Sequence, residues 1–235
     1  MDFIICIHHS WDEPLGEMSS TTFARILESL RSFSPPPEVF LGGLGEPLAH
    51  PNIADMVRQI KSIGSSVELV TNGTLLSKRL SEDLIDAGLD GLWISLDGAT
   101  PESYKDVRLG AALPEVLDNL VEFRHARWSK YHPVHLDFLL KPNLGIVFVA
   151  MKRNIADLPA IFSLAGRLGA RNLLVTNVLP YTPEMQNEIL YAHAINDAIY
   201  TSAPLLRYLN FPKMDINATT REAIYQVMQI GRAHV

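Results

Sequence analysis

The sequence predicts an α/β fold, in the form of an open or partly closed barrel of parallel strands. Short apolar runs rich in Val, Ile and aromatic residues recur along the chain; the first three start 29 and 24 residues apart, and the last two start 27 residues apart. That interval is the length of one strand-plus-helix unit. Most runs are followed by a helical pattern, and several of these helices end at a glycine just before the next strand. Polar residues follow each run directly, as at the functional end of such folds.

Five runs are predicted to be buried strands, because they are mostly apolar on both of their alternating faces. They are Glu38–Leu41, Val67–Val70, Gly91–Ile94, Gly145–Met151 and Asn172–Val175. A further run over residues 134–140 alternates only partway, so it is compatible with either an extra strand or an insertion.

Helices are predicted between and after these strands. The first begins at a cap provided by Ser19 or Ser20 and runs to Leu30, with an apolar stripe formed by Phe23, Ile26, Leu27 and Leu30. The other predicted helices are Asn52–Ile63, Ser77–Ala87, Pro114–Trp128, Asp157–Leu168, Met185–Ile199 and Thr219–Gln229.

Composition excludes several classes of protein. With 47% hydrophobic and 20% charged residues, the 235-residue chain has a globular composition and is long enough to bury a full core. It has 20 Lys and Arg against 26 Asp and Glu, so it lacks the basic field that attracts nucleic acid. No apolar run approaches the roughly 20 residues of a membrane span. A single cysteine suits a reducing cytoplasm, so we expect a cytoplasmic protein with neither nucleic acid nor membrane as a partner.

Hydrogen-bonding side chains and glycines follow all five predicted strands. The segments are Gly42–Pro47, Thr71–Gly73, Ser95–Gly98, Lys152–Asn154 and Thr176–Asn177. Each segment alone is ordinary turn chemistry, but together at the ends of parallel strands they predict one polar, ligand-binding crater. Glu46 is suited to an ammonium group, and Ser95 and Asp97 are suited to ribose hydroxyls. Asn72 and Asn177 are suited to amide-like or purine edges.

Three of these segments resemble the motifs of the radical S-adenosylmethionine (SAM) superfamily in order and spacing. They are Gly42-Gly43-Leu44-Gly45-Glu46-Pro47, Thr71-Asn72-Gly73 and Ile94-Ser95-Leu96-Asp97-Gly98. The resemblance covers roughly residues 3–180 and implies a partial parallel (β/α)6 barrel. It also implies an enzyme that reductively cleaves SAM at a 4Fe-4S cluster to start radical chemistry.

The resemblance implies a SAM site of ten residues. They are Gly42, Gly43, Gly45, Glu46, Asn72, Ser95, Asp97, Arg153, Asn154 and Asn177. In this scheme Glu46 and the glycines hold the methionine amino group, and Ser95 and Asp97 meet the ribose or nearby groups. The last three residues meet the carboxylate and the adenine. No residue is predicted to act on a substrate directly.

A narrower resemblance points to the maturases associated with tungsten-cofactor oxidoreductases. Its segments are Ser10–Gly16, Phe148–Asn154 and Thr176–Tyr181. It implies cofactor or peptide maturation, a low-potential electron donor such as flavodoxin or ferredoxin, and a small-molecule or peptide substrate. Members of that group continue into a cysteine-rich SPASM-type domain. We therefore expect residues 1–180 to be the barrel core and residues 181–229 to be a helical extension that begins a further region.

The sequence departs from the family at the cluster loop, which needs the pattern Cys-x3-Cys-x2-Cys. Cys6 fits the third cysteine, Phe3 stands where the second belongs, and the first falls before Met1. We therefore expect Met1 to be an internal methionine of a longer protein whose first strand and cluster loop are truncated here. As written, the chain provides one cluster ligand of three.

Two other functions remain open on these residues. One is a non-catalytic barrel that binds SAM or a nucleotide and has lost its cluster. The other is a cluster-free lyase in which Glu46, Asp97 and Lys152 act as acid and base.

The last six residues, Ile230–Val235, lack an apolar period. One DNA reading of them coincides with a common sequencing-adapter sequence. We expect them to be an artefact that contributes nothing to the fold.

Overall fold

The computed structural model describes residues 2–3, 16–109, 113–131, 140–193 and 211–233. Cys6, the expected cluster ligand, lies outside them, and so does the ambiguous segment 134–139. The chain divides into two compact units. The first unit comprises residues 11–94 and 115–144, and the second comprises residues 1–10, 95–114 and 145–235. The predicted boundary at residue 180 stays a prediction.

Strands and helices alternate along most of the chain. The strands are β1 (Asp2–Phe3), β2 (Val39–Leu41), β3 (Val67–Thr71), β4 (Gly91–Ser95), β5 (Arg108–Leu109), β6 (Asn143–Ala150) and β7 (Asn172–Asn177). The helices are α1 (Ser20–Arg31), α2 (Ile53–Ser62), α3 (Lys78–Ala87), α4 (Pro101–Val107), α5 (Leu113–Tyr131), α6 (Leu158–Arg167), α7 (Pro183–Glu188) and α8 (Ala218–Ala233). All five predicted strands are confirmed, with ends that differ from the prediction by two residues or fewer. The expectation that each is buried on both faces is wrong for β2, in which no residue is buried and Phe40 is 58% exposed.

In the first unit, β2, β3 and β4 pair in parallel, with Val39 opposite Val67 and Glu68 opposite Gly91. Alternate residues of β3 are buried. Helix α2 packs against β3 and against α3. The buried residues of the two helices recur at helical spacing and are Ile53, Met56, Val57 and Ile60 in α2, and Ser81, Leu84, Ile85 and Ala87 in α3. Burial of these apolar stripes fixes the helices on one face of the sheet.

Side-chain caps begin two helices of the first unit. The Ser19 hydroxyl accepts a hydrogen bond from the Thr22 amide at 3.1 Å, so Ser19 rather than Ser20 is the cap of α1. The Ser77 hydroxyl accepts from the Leu80 amide at 3.2 Å and begins α3 in the same way. Both caps satisfy amides that have no partner within the helix.

The buried stripe of α1 is narrower than predicted. Phe23 and Leu27 are buried, but Ile26 is 41% exposed. Phe23 and Leu27 lie four residues apart on one line along the helix, and only that line is covered. The expectation that Ile26 belongs to the core is therefore wrong.

In the second unit, β6 and β7 pair in parallel, from Gly145 opposite Asn172 to Ala150 opposite Asn177. The two-residue strands β1 and β5 pair antiparallel. Helix α6 packs against α8. Each unit thus contains parallel strand pairs, as the α/β fold class requires.

Helix α7 is shorter than predicted, because it ends at Glu188 instead of continuing toward Ile199. The backbone of Ile189 is extended, with φ −63° and ψ 139°. The Tyr191 hydroxyl then donates to the Val178 carbonyl at 3.0 Å, which holds the segment outside a helix. The prediction is therefore confirmed over residues 185–188 and wrong over residues 189–193, and the remainder of that predicted helix lies outside the described residues.

Helix α8 is capped by Asn217, whose Oδ1 accepts from the amides of Thr219 and Thr220 at 2.9 and 3.0 Å. It continues through Ile230 to Ala233, beyond the predicted end at Gln229. Among the described residues, no helix is long and apolar enough to cross a membrane.

Asp90, just before β4, joins three segments of the first unit. Its Oδ2 accepts from Lys61 Nζ at 2.6 Å and from the Val67 amide at 3.0 Å, and its Oδ1 accepts from Lys141 Nζ at 2.5 Å. Burial by itself would raise the pKa of this carboxyl. The hydrogen bonds from Lys141, Lys61 and the Val67 amide, with the charge of Lys61, lower its pKa overall. Asp90 therefore stabilises the fold as an anion.

Replacing Asp90 by Asn should lower the free energy of unfolding by about 1–3 kcal/mol near neutral pH, since the buried Val67 amide and two lysines lose a charged acceptor. A carboxyl whose pKa is lower in the folded protein than in the unfolded chain stabilises the folded state at pH values above its unfolded pKa. This stabilisation is lost as the pH falls through the pKa of the folded state. The difference between the two proteins should therefore shrink in acid. Denaturant titrations at several pH values measure it. Asp83→Asn is the control, because Asp83 is 53% exposed and its ion-pair contact with Arg79 is 3.9 Å. Equal losses in both variants would contradict the role given to Asp90.

Candidate functional site

Glu46 follows the glycine turn after β2 and caps the short 3-10 helix Pro47–Ala49. Its half-buried carboxylate receives three hydrogen bonds. Oε1 accepts from the Leu48 amide at 3.0 Å and from the Thr71 hydroxyl at 2.5 Å, and Oε2 accepts from the Asn72 amide at 2.9 Å. The acid is thereby fixed at the carboxyl ends of β2 and β3, as an oriented acceptor.

The three glycines before Glu46 differ in whether the structure requires glycine at that position. A Cβ at Gly42 would lie 2.5 Å from Val70 Cγ1 and 2.8 Å from the Phe40 ring, so a side chain there would have to displace the side chains of Val70 and Phe40. Gly43 has φ +138°, which L side chains rarely adopt. A Cβ at Gly45 would meet nothing within 4 Å, so packing does not require glycine there. The exposed backbone of residues 42–45 is open to close approach by a ligand.

The Asn72 side-chain oxygen is hydrogen-bonded within its own turn. Its Oδ1 accepts from the Thr74 amide at 2.9 Å and from the Thr74 hydroxyl at 2.7 Å. Asn119 of α5 closes the turn by donating to the Gly73 carbonyl at 3.0 Å. The prediction that Asn72 meets an amide-like or purine edge therefore depends on its NH2 group.

In the second unit, Asp97 is fully buried. Its Oδ1 accepts from the Val149 amide at 2.8 Å, and its Oδ2 lies 3.5 Å from the Ser95 hydroxyl. The carboxylate thus joins the loop after β4 to β6. Ser95, which is half-buried, has the more accessible polar group of the two residues predicted to meet the ribose.

Asn154 is buried and braces the same loop. Its Nδ2 donates to the carbonyls of Asp97 and Val149 at 3.0 and 2.9 Å, and its Oδ1 accepts from the Met151 amide at 2.8 Å. Both the nitrogen and the oxygen of the side-chain amide are thus hydrogen-bonded to the backbone. Asn154 therefore shapes the ends of β4 and β6, and its predicted contact with the adenine or carboxylate stays a prediction.

Arg153 pairs with Glu188 of α7. Its guanidinium donates to Oε1 at 2.8 Å, and its backbone amide donates to Oε2 at 3.0 Å. Burial would raise the pKa of Glu188, but the hydrogen bonds from Arg153 and the charges of Arg153 and Lys152 lower it overall. Arg153 is therefore anchored by an internal carboxylate at the position where a ligand carboxylate was expected.

Asn177 closes β7 and donates from Nδ2 to the Lys213 carbonyl at 3.0 Å. Its buried Oδ1 has no hydrogen-bond partner among the described residues. This oxygen is the part of Asn177 that can accept from a ligand.

The predicted site residues thus form four local groups. The glycines, Glu46 and Asn72 form one group, and Ser95, Asp97 and Asn154 form another. Arg153 and Asn177 each engage a segment farther along the chain. Sequence reasoning missed Thr71 as a partner of Glu46, although its place at the end of a strand was a usable signal. It also missed Glu188, which the sequence placed inside a longer helix.

A family model described as the radical SAM superfamily matches residues 5–140, more than half of the chain. The chain belongs to the radical SAM superfamily. It is 30% identical over 221 residues to a tungsten-containing aldehyde ferredoxin oxidoreductase cofactor-modifying protein of Pyrococcus furiosus, covering 90% of this chain and 59% of that protein. It is also 30% identical over 158 residues to an AdoMet-dependent heme synthase of Methanosarcina barkeri, covering 67% and 41%. The chain spans about half the length of these relatives.

Solved radical SAM structures share the fold. The structure of Streptococcus suis SuiB bound to S-adenosylmethionine matches with a TM-score of 0.61 and 13% identity, covering 94% of this chain and 43% of that one. A structure of anSMEcpe with bound AdoMet and a peptide matches with a TM-score of 0.59 and 15% identity, covering 76% and 48%. The predicted α/β partial barrel of the radical SAM type is confirmed.

Replacing Asn154 by Asp should lower the free energy of unfolding by more than about 2 kcal/mol, because two buried carbonyls lose their donor and face a carboxylate instead. Asn172→Asp makes the same change at an exposed position and should cost little. Thermal or denaturant unfolding compares the two. If Asn154→Asp lowers the free energy of unfolding no more than Asn172→Asp does, the hydrogen bonds of Asn154 are unimportant for stability.

Proposed function

We propose that this chain is the SAM-binding core of a radical SAM protein, with Glu46 as the acceptor for the methionine amino group. The orientation of the Glu46 carboxylate supports the proposal. Three donors from its own chain fix both oxygens at the ends of β2 and β3, next to the exposed backbone of residues 42–45. A fixed carboxylate suits an ammonium group, since hydrogen bonds between ionised partners are the stronger kind.

The second unit, taken by itself, carries neutral groups suited to a nucleoside. The half-buried Ser95 hydroxyl can exchange hydrogen bonds with a ribose, and the buried Oδ1 of Asn177 can accept from an adenine amino group. Asp97 and Asn154 hold these strand ends in shape through the backbone of β6. SAM supplies the sulfonium group whose cleavage starts radical chemistry throughout the superfamily.

The residues of this chain do not fit a 4Fe-4S cluster of the superfamily type. Such a cluster needs three thiolates, and the whole sequence contains one cysteine, Cys6. Within the described ranges, no group of three His, Cys, Asp or Glu side chains is placed to hold a metal ion. We therefore assign SAM binding to this chain, and no electron-transfer step.

For the longer protein, we propose maturation of a cofactor or peptide. The relative from Pyrococcus furiosus is named for modifying a cofactor, and one neighbouring structure contains a bound peptide. Reductive cleavage of SAM there would need a low-potential donor such as flavodoxin or ferredoxin.

The second candidate function is a non-catalytic SAM- or nucleotide-binding barrel that has lost its cluster. Phe3, at the expected position of a cysteine ligand, favours it. A cluster-free lyase is less well supported, because Asp97 is buried and bonded to the backbone rather than exposed to a substrate.

Replacing Glu46 by Gln should weaken SAM binding about tenfold or more, because an amide is a poorer partner for ammonium than a carboxylate and brings its own donors toward three existing ones. Calorimetric titration with SAM measures the change. Glu68→Gln is the matched control, since Glu68 is a half-buried carboxylate of β3 that accepts from Trp93 Nε1 at 2.7 Å. Equal SAM affinity in the Glu46 variant and the unchanged chain would remove Glu46 from the amine site.

Anaerobic reconstitution with iron and sulfide should load no four-iron cluster on this chain. The Cys6→Ala variant should behave identically, because one thiolate cannot hold three irons. Bound iron, bound sulfide and 5′-deoxyadenosine formed after dithionite reduction are the measurements. Formation of 5′-deoxyadenosine by the unchanged chain, and its absence with Cys6→Ala, would show that the ligand set is larger than one cysteine.

A further inference from the structure

We propose that Thr71 is a positioning residue for SAM binding, because its hydroxyl sets the orientation of the Glu46 carboxylate. This inference rests on the proposed function, since it assigns a role within the same amine site.

Thr71 ends β3 and is 3% exposed. Its Oγ1 accepts from the Gly73 amide at 3.1 Å and donates to Glu46 Oε1 at 2.5 Å. The Gly73 amide occupies one side of the hydroxyl oxygen, so the single hydroxyl proton is directed to the carboxylate. The strand end and the tight turn after it therefore hold one oxygen of Glu46 in place.

The acceptor count on Glu46 then determines where an ammonium group can bind. A carboxylate offers about four acceptor positions, two on each oxygen. The Leu48 amide and the Thr71 hydroxyl take both positions on Oε1, and the Asn72 amide takes one on Oε2. Among the described residues, the position that remains is on Oε2. A ligand ammonium is thus restricted to one oxygen and one direction.

Removing the Thr71 hydroxyl would free a position on Oε1 and loosen the terminal torsion of Glu46, which is broad when unconstrained. The carboxylate would keep its charge and two of its three donors. The expected defect is therefore weaker binding of ligands that carry the amino group, with no change for ligands that lack it.

The test compares Thr71→Val, which keeps the shape but not the hydroxyl, with Thr71→Ser, which keeps the hydroxyl. Thr220→Val is a matched control, because the buried Thr220 hydroxyl also accepts from an amide, that of Asn217 at 2.9 Å, and donates to nearby oxygens, the Asp215 carbonyl at 2.8 Å and the Asn217 carbonyl at 3.3 Å. Among the described residues, Thr220 has no hydrogen bond to a predicted site residue.

Equilibrium dialysis gives the Kd of each protein for SAM and for 5′-methylthioadenosine, which lacks the amino-acid portion. Thr71→Val should weaken SAM binding about tenfold, equivalent to about 1.4 kcal/mol. Thr71→Ser should stay within about twofold. The affinity for 5′-methylthioadenosine should be the same in every variant.

Unchanged SAM affinity in Thr71→Val overturns this role and leaves the proposed function standing. Equal weakening of both ligands in Thr71→Val also overturns it, because the effect is then one of folding; Thr220→Val should bind both ligands as the unchanged chain does. If the unchanged chain binds no SAM, the proposed function fails and this role fails with it.

A second measurement needs no substitution at Thr71. The short hydrogen bond to a carboxylate predicts a slowly exchanging Thr71 hydroxyl proton with a downfield NMR resonance, which Glu46→Gln should shift. A rapidly exchanging proton, or one indifferent to Glu46→Gln, contradicts the proposal even if Thr71→Val does not fold.

Discussion

The hydrogen bonds that join Glu46 to the end of β3 are the constraint on which the candidate site of the first unit depends. A carboxylate on a flexible turn would be only a local negative charge. Here the Thr71 hydroxyl and the Asn72 amide tie it to the end of a strand whose alternate residues, Thr71 among them, are buried. The sheet thereby holds the Glu46 side chain in a fixed orientation, so this loop residue is positioned as accurately as a residue within a strand.

The second unit uses its polar groups differently. Asp97 and Asn154 are buried and hydrogen-bonded mainly to the backbone. They therefore determine the path of the chain and do not present a polar group to a ligand. Two residues of similar polarity at strand ends can therefore have opposite uses, one facing a ligand and one facing the backbone. Burial and hydrogen-bond partners distinguish them, whereas residue type does not.

Much of this molecule follows from the sequence. The five strands of the parallel pairs and most of the helices are predictable, because their apolar runs and glycine ends are local signals. The proximity of Glu46 to Thr71 is not local, since it depends on the parallel pairing of β2 with β3. The early end of α7 depends on Tyr191 and on contacts made by the following segment, and Ile26 is exposed because only one line of α1 is covered. In each of these cases the decisive partner is distant in sequence.

The position of Asp90 has a consequence for how such a protein can evolve. Asp90 and its two lysines hold the amino ends of β3 and β4, whereas Glu46 and Thr71 lie at the carboxyl end of β3. Groups that secure the sheet and groups of the proposed amine site are thus at opposite ends of the same strand. A lineage can lose a ligand residue and still produce a folded barrel, so the fold can outlast its original chemistry and be inherited for another use.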